Sequence, residues 1–376
     1  MKNKDHNIKL KFSKMRIVIF IILLTALIGS LFYTEQIETL INVGYSNNGA
    51  VLDENGLVVH FVNVGQGDGI VIELPDDKTM IIDGGPTSSA DDLIDYIDNN
   101  VFDSGTSTFD YMVLTHSDAD HIGAIDEILG AYQVNNIYRP KIYATYENIA
   151  DGYETIETAP NGTKSTDTLT YYKAIDAVLN EPNCDIYFTD EICGTSINGG
   201  SGANSYSITF LSPSQSYYSD TNEYSPIMVL EYNGKTMMFT GDAPISSEEE
   251  VLNNYTLGHI DLLKLGHHGS DTSTGTELLS AITPTYAIIS VGANNSYGHP
   301  SEETINRLLY SGVLREDIFR TDENGNIVAN VNILGDINIF VQVDSLPTYI
   351  EWEYVAGTLI VIAFWLCFSD SKKFNF

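Results

Sequence analysis

Thr115-His116-Ser117-Asp118-Ala119-Asp120-His121-Ile122-Gly123 follows directly on the apolar run 111–114. Two imidazoles and two carboxylates fall within the six positions 116–121. A strand that ends before them presents all four on the following loop, at the carboxyl edge of a sheet. Imidazole nitrogen and carboxylate oxygen suit Zn²⁺, Mn²⁺ or Fe²⁺, and the lack of a nearby Cys argues against a structural zinc knuckle. The competing reading is a polar loop in which Asp118 or Asp120 caps a helix. Capping uses one carboxylate and leaves both histidines without a purpose.

Upstream, residues 57–64 are rich in β-branched side chains and read as a strand. Gly65-Gln66-Gly67-Asp68-Gly69 turns the chain, and 70–74 returns. Pro75-Asp76-Asp77-Lys78 makes another turn before a strand over 79–83 and Gly84-Gly85. The glycines of the first turn do not mark a dinucleotide site, which needs a helix after them; Ile70-Val71-Ile72 is strand-like. A helix over 91–100 and a strand over 110–114 lead into the ligand loop, and helical periodicity resumes over 122–131. From 141 to 205 the pattern dissolves, with one helix over 171–179, as in an insertion on a scaffold. Strands follow at 206–211, 227–232 and 235–240, the last two joined by the hairpin signal Asn233-Gly234. Further strands are expected at 260–265, 286–291 and 318–320, and helices at 246–253, 276–282 and 302–310. Asn324-Gly325-Asn326 opens a last hairpin ending near 343. This order predicts an α/β chain, a two-sheet sandwich with helices outside in four αββα layers.

The chain has 376 residues, enough for one large core or two modest ones. Lys and Arg number 18 against 51 Asp and Glu, a formal charge of −33. Such a surface repels polyanions, so any nucleic-acid contact has to be local and metal-mediated. Lys9, Lys11, Lys14 and Arg16 precede an uncharged run, 17–33, which reads as a transmembrane helix or a secretory signal peptide. Near the other end, 352–368 is apolar except for Glu353, with Tyr349, Trp352 and Tyr354 as interfacial aromatics and Lys372 and Lys373 beyond. A buried core helix is the alternative there. The basic outer flanks place both termini in the cytoplasm and the acidic body outside the cell membrane. The expected organisation is a cytoplasmic basic segment 1–16, a span 17–33, a linker 34–56, a body 57–345 with an insertion at 141–205, a second span 349–368 and a cytoplasmic tail 369–376. Cys184 and Cys193 either bridge in an oxidising exterior or stay free thiols.

Three further clusters join the opening motif: Thr240-Gly241-Asp242-Ala243, Leu265-Gly266-His267-His268-Gly269-Ser270 and Tyr297-Gly298-His299-Pro300. Carboxylates and imidazoles at the same edge of successive strands can converge, as sites in open sheets usually do.

The run from His116 to His121, followed by Gly241-Asp242-Ala243 and then Lys264-Leu265-Gly266-His267-His268-Gly269-Ser270, resembles the metallo-β-lactamase superfamily of metal-dependent hydrolases. Val64-Gly65-Gln66-Gly67-Asp68, Ile82-Asp83-Gly84-Gly85 and Tyr297-Gly298-His299-Pro300 widen the set. Together these motifs are similar to the hydrolase domain of bacterial competence (DNA-uptake) membrane proteins. The resemblance implies an αββα fold with one or two divalent ions, Zn²⁺ or Mn²⁺, held between the sheets. Carried over, one metal takes His116 and Asp118, the other Asp120, His121 and His268, and Asp242 bridges them. Asp118 stands where the broader superfamily has a His, which shifts preference from Zn²⁺ towards Mn²⁺. The middle His that the superfamily often supplies has no counterpart between 122 and 258, where Asn222 and Ser225 are the polar residues.

Asp120, His267 and His299 are the catalytic candidates. His267 would orient a substrate phosphate or leaving group, or brace a ligand. His299 would be an acid–base or oxyanion partner, or a packed turn residue. Asp68 and Asp83 read as acceptors that fix ligand histidines. Lys264 either steadies an anion or lies exposed on the acidic surface. The function implied is metal-assisted hydrolysis of a phosphodiester, by a phosphodiesterase or nuclease whose attacking water is acidified on the metal. A hydrolase of cell-wall phosphorylcholine-type esters and a non-catalytic metal-binding, membrane-associated interaction protein are the alternatives. The expected partners are the membrane, a phosphodiester or ester substrate that includes DNA, and other membrane components; the oligomeric state is left open.

Overall fold

Alternation of buried side chains builds the molecule from its first strands. In the computed structural model, which describes residues 53, 56–102, 108–145 and 156–342, strands β1 (Leu57–Phe61), β2 (Ile70–Glu73) and β3 (Thr79–Ile82) form an antiparallel meander. Val59, Phe61, Ile70, Ile72, Met80 and Ile82 face one core, while Val71 and Ile81 face another. Side chains alternate across a strand, so a strand apolar at every position must be covered on both faces. Strands β4 (Thr108–Val113) and β5 (Gln133–Arg139) extend the sheet in parallel beyond β3. Helix α1 (Ala90–Asn100) covers the outer face with Leu93, Tyr96 and Ile97.

The single helix expected over 122–131 is two, α2 (Ala119–Ile122) and α3 (Ile125–Ala131). The break falls where backbone groups are taken by the 85–87 turn. Thr87 Oγ1 donates to the Gly123 carbonyl (2.6 Å) and Ala124 N donates to the Gly85 carbonyl (3.1 Å).

The stretch without a clear pattern, 141–205, contributes to both sheets. β6 (Ile142–Ala144) and β7 (Lys164–Thr166) pair with each other, and α4 (Leu169–Asn180) buries Tyr171, Ala174, Ile175 and Val178 in the first outer core. β8 (Asp185–Phe188) joins the edge of the first sheet beside β5, and β9 (Ser196–Gly199) edges the second sheet. Cys184 and Cys193 are free thiols. Cys184 packs against the core under α1 and α4, while Cys193 Sγ faces Leu211 O and Tyr255 Oη.

The second half repeats the logic. β10 (Tyr206–Phe210), β11 (Met228–Tyr232) and β12 (Lys235–Phe239) are antiparallel. Asn233 and Gly234, both at positive φ, close the last hairpin as expected. After α5 (Ile245–Asn254), β13 (Leu262–Lys264) runs parallel to β12. After α6 (Thr276–Ile282), β14 (Tyr286–Ile289) continues in parallel, as does β15 (Ile318–Arg320) after α7 (Glu302–Ser311). The short α8 (Thr321–Asn324) then leads to β16 (Asn326–Val331) and β17 (Ile337–Gln342), which return to the first sheet beside β1.

Sheet orders are β17-β16-β1-β2-β3-β4-β5-β8 and β15-β14-β13-β12-β11-β10-β9. Phe61, Ile72, Phe210, Leu230, Phe239 and Ile288 fill the space between the sheets. Leu263, Leu278, Ile282, Ile289 and Leu308 fill the second outer layer. The four αββα layers expected from the sequence are therefore present. Among the described residues no helix is long and apolar enough to cross a membrane. The spans expected at 17–33 and 349–368, with the cytoplasmic ends beyond them, lie outside the described residues.

Candidate metal centre

The parallel half of each sheet ends at the same place. Asp83 follows β3, Thr115 and His116 follow β4, Asp242 follows β12, and His267 and His268 follow β13. Their loops are held by backbone bonds. Gly84 N donates to the His121 carbonyl (2.8 Å) and His267 N to that of Gly241 (3.1 Å). Gly67 carries a positive φ, and a Cβ there would run into the Asp120 carbonyl. The Gly-rich turn after β1 is thus a close-packing surface for the ligand loop. His267 and His268 both adopt left-handed backbone angles (φ 49° and 53°), an uncommon and costly pair for non-glycine residues.

Hydrogen bonds fix the imidazole tautomers. His121 Nδ1 donates to Asp83 Oδ2 (2.7 Å), and His268 Nδ1 donates to the Ser290 carbonyl (2.9 Å). Thr115 Oγ1 donates to Asp83 Oδ2 (2.6 Å), so its lone pair accepts from His116 Nδ1 (3.0 Å). Each ring has its proton on Nδ1, which leaves Nε2 with a lone pair. These three lone pairs converge. His121 Nε2 lies 3.2 Å from His268 Nε2 and 3.2 Å from Asp242 Oδ1. Asp242 Oδ2 lies 3.9 Å from His116 Nε2, 3.6 Å from His268 Nε2 and 3.7 Å from His267 Nε2. Asp120 Oδ2 completes the group 3.3 Å from His268 Nε2.

Two lone pairs facing each other at 3.2 Å repel unless positive charge lies between them. His116 Nε2 and Asp242 Oδ1 are buried without a hydrogen-bond partner. Orphaned buried acceptors of this kind call for an ion. Ligand atoms of His116, His121 and Asp242 lie within 4.8 Å of one another, as do those of Asp120, His121 and His268. The same holds for Asp68, Asp83 and His121, but there Asp83 is occupied by His121 Nδ1 and Thr115, and Asp68 by Lys264. The nitrogen-and-oxygen donor set fits a divalent transition metal.

The electrostatics agree. Burial, with His121 close by, lowers His116 to about 4, so the ring is neutral and its lone pair free. Burial opposes charge on His121 and His268, yet Asp242 and their other carboxylate neighbours raise both. Positive charge at Nε2, from a second proton or from a metal that takes its place, is therefore favoured. Burial likewise works against Asp242 and Asp120, but the histidines win. Asp242 is held well below the usual carboxylate range and Asp120 at about 2. The pocket therefore attracts positive charge, and a divalent cation meets that demand.

Most expected site residues meet here, and some stand apart. Asp118 lies at the rim of the centre, its carboxylate as near to His116 Nε2 as that of Asp242. Its side chain is 48% exposed, its Oδ2 lies 3.8 Å from His116 Nε2, and its Oδ1 accepts from Thr221 Oγ1 (3.3 Å). Burial and Asp120 raise its carboxyl. His299 reaches the centre only through His267, with ring centroids 5.6 Å apart. Lys264 corrects the reading of an exposed or anion-binding lysine. It is fully buried, and its ammonium donates to Asp68 Oδ2 (2.8 Å) and the Leu265 carbonyl (2.9 Å). Asp68, 3.7 Å from His268 Nδ1, is committed to that lysine, whereas Asp83 does fix a ligand histidine. Thr115 was not anticipated, although its place beside His116 was visible. Ser225 joins the same network, 3.4 Å from His116 Nδ1 and accepting from Asp242 N (3.1 Å).

Comparisons with known proteins agree with the resemblance. Residues 62–177 match the metallo-beta-lactamase superfamily. The chain is 27% identical over 308 residues to ComE operon protein 3 of Bacillus subtilis, covering 76% of this chain and 35% of that protein. It is 36% identical over 118 residues to Competence protein ComA of Neisseria gonorrhoeae, covering 31% of this chain and 16% of that protein. The chain thus spans about a third or less of the length of these relatives. Among solved structures, the metallo-beta-lactamase fold protein YhfI of Bacillus subtilis is similar at 14% identity and a TM-score of 0.39, over 73% of this chain and 99% of that one.

Proposed function

We propose that this chain is a metal-dependent phosphodiesterase, carried on the outer face of the cell membrane by the apolar segments at its two ends. The observation that supports this most is the convergence of three Nε2 lone pairs on Asp242, each fixed by a hydrogen bond on the far side of its ring. His116, Asp118, Asp120, His121, Asp242 and His268 would hold one or two ions. A divalent ion bound there would polarise a phosphoryl oxygen and acidify a water.

The chain's own groups supply the rest. Asp120, ionised and facing the cleft, accepts the proton of the attacking water. His267, with its side chain 29% exposed beside Asp242 and Nδ1 tied to Thr272 Oγ1 (3.2 Å), orients the phosphate and donates to the leaving oxygen. Burial and the neighbouring His267 lower His299, which keeps it neutral as a partner for His267. The similarity to competence proteins favours phosphorus over carbon as the centre attacked. It also makes DNA and other membrane components the first partners to test.

The test is hydrolysis of bis-p-nitrophenyl phosphate by the full chain with Mn²⁺ or Zn²⁺, alongside elemental analysis of bound metal. Metal-dependent turnover that falls at least 100-fold, on the order of the loss of a proton-transfer group, in Asp120→Ala supports the reading. Stoichiometric metal without turnover of any phosphodiester overturns it and leaves a metal-binding interaction protein.

A further inference from the structure

A cleft of about 670 Å³ meets the metal centre at Asp120, and Asp118 and Tyr297 also line it. That volume suits a small molecule. The rest of the wall joins Gln66, Pro86 and Ala119 to the small hydroxyl residues Thr87, Ser88, Ser117, Thr168 and Thr170. No Lys or Arg lines it among the described residues. A phosphate on the ions would be neutralised there, but a second phosphate along the cleft would meet no cation and two nearby carboxylates. Polynucleotide binding elsewhere depends on several basic contacts along the backbone. A chain of formal charge −33 whose cleft carries two carboxylates and no cation has the opposite character.

Tyr297 is the one aromatic residue of that wall among the described residues. Its side chain is large and 69% exposed, and its ring stacks on His299 at 5.8 Å with an interplanar angle of 12°. His299 in turn meets His267 at 5.6 Å, and His267 Nε2 lies 3.7 Å from Asp242 Oδ2. A line of rings thus runs from the mouth of the cleft to the metal centre. An exposed phenol ring braced on one face by an imidazole offers its other face to a flat group.

We infer that the cleft selects small phosphodiesters with one phosphate and a ring substituent, and that Tyr297 is the specificity-determining residue that stacks on the ring. The inference rests on the phosphodiesterase reading above and narrows its substrate class. Thr87 and Thr168 spend their hydroxyls on Gly123 O and Tyr171 N, and the hydroxyls of Ser88, Ser117 and Thr170 fit those of a sugar. In the reaction one water is consumed and one P–O ester bond breaks, releasing a phosphomonoester and a free hydroxyl.

The test compares a dithymidine monophosphate with an oligothymidylate of about twenty nucleotides at low salt, where nonspecific phosphate contacts are strongest. The full chain is loaded with Mn²⁺, and hydrolysis is counted per bond. The dinucleotide should be cut about tenfold more efficiently. Loss of one stacked base in Tyr297→Ala should raise its KM about tenfold with a smaller change in kcat, and Tyr297→Trp should restore KM. An unchanged KM in Tyr297→Ala, or preference for the longer strand, overturns the inference and leaves the phosphodiesterase reading intact. Calorimetry with the phosphorothioate analogue covers the case of no turnover. Binding that weakens in Tyr297→Ala and returns in Tyr297→Trp then keeps the inference while the phosphodiesterase reading falls. Absent binding, or binding indifferent to Tyr297, sinks the inference.

Discussion

Asp83 accepts from Thr115 N (2.8 Å), Thr115 Oγ1 (2.6 Å) and His121 Nδ1 (2.7 Å). Through Thr115 it also sets the tautomer of His116, so one buried carboxylate aims two rings. Replacing it with an amide keeps the shape but offers an N–H where His121 needs an acceptor. His121 then has reason to place its proton on Nε2, inside the metal centre. Asp83→Asn should weaken metal binding about 10–100-fold, the usual cost of losing such a partner, while the fold persists. Calorimetric titration with Mn²⁺ or Zn²⁺ measures this, and an unchanged affinity would show that Asp83 does not control the rings. In sequence Asp83 was recognisable from its place before Gly84-Gly85. Thr115 was not, because a single hydroxyl beside a histidine is common and only its two partners reveal its task.

The elements around the centre are clasped at their ends, and Glu248 is one clasp. From α5 its carboxylate accepts Thr274 N (2.5 Å) and Gly275 N (2.7 Å), joining that helix to the loop that leads from the His267–His268 turn into α6. Burial raises its pKa to about 7 against the pull of these two N–H groups. A carboxyl whose folded pKa lies above its unfolded value binds a proton more tightly when folded. Its contribution is fully present below the unfolded pKa, near 4.5, and is lost as pH rises through about 7. The amplitude is on the order of 3 kcal/mol. Urea unfolding at intervals from pH 4 to 8 should show stability falling with pH across this window, and Glu248→Gln should flatten that fall. A parallel slope in the variant would assign the effect to other groups. Edge elements follow a different rule. β8 and β9 are mostly exposed and are held by backbone pairing with β5 and β10, so they carry no hydrophobic alternation for a reader to find.

Across the whole molecule, a buried cluster of lone pairs and carboxylates in a chain of charge −33 costs stability until a cation enters. Metal at about 100-fold above its Kd should add ~2.7 kcal/mol. At about 2–4 °C per kcal/mol for a large domain, Tm should rise by roughly 5–10 °C and fall back on chelation. Scanning calorimetry checks this, and a Tm indifferent to Mn²⁺, Zn²⁺ and chelator would remove the metal centre. The amino-acid order alone determined the layered sandwich, because burial on both strand faces and glycine-marked turns are local properties with a short period. It also brought His116, Asp120, His121, Asp242 and His268 to strand ends, where sheets build sites. Tertiary structure alone decided their partnerships. His121 meets His268 across 147 positions, and Lys264 disappears beneath the centre onto Asp68 across 196. Which proton a ring carries and which charge is neutralised depend on groups that folding brings into contact, and no local pattern records them.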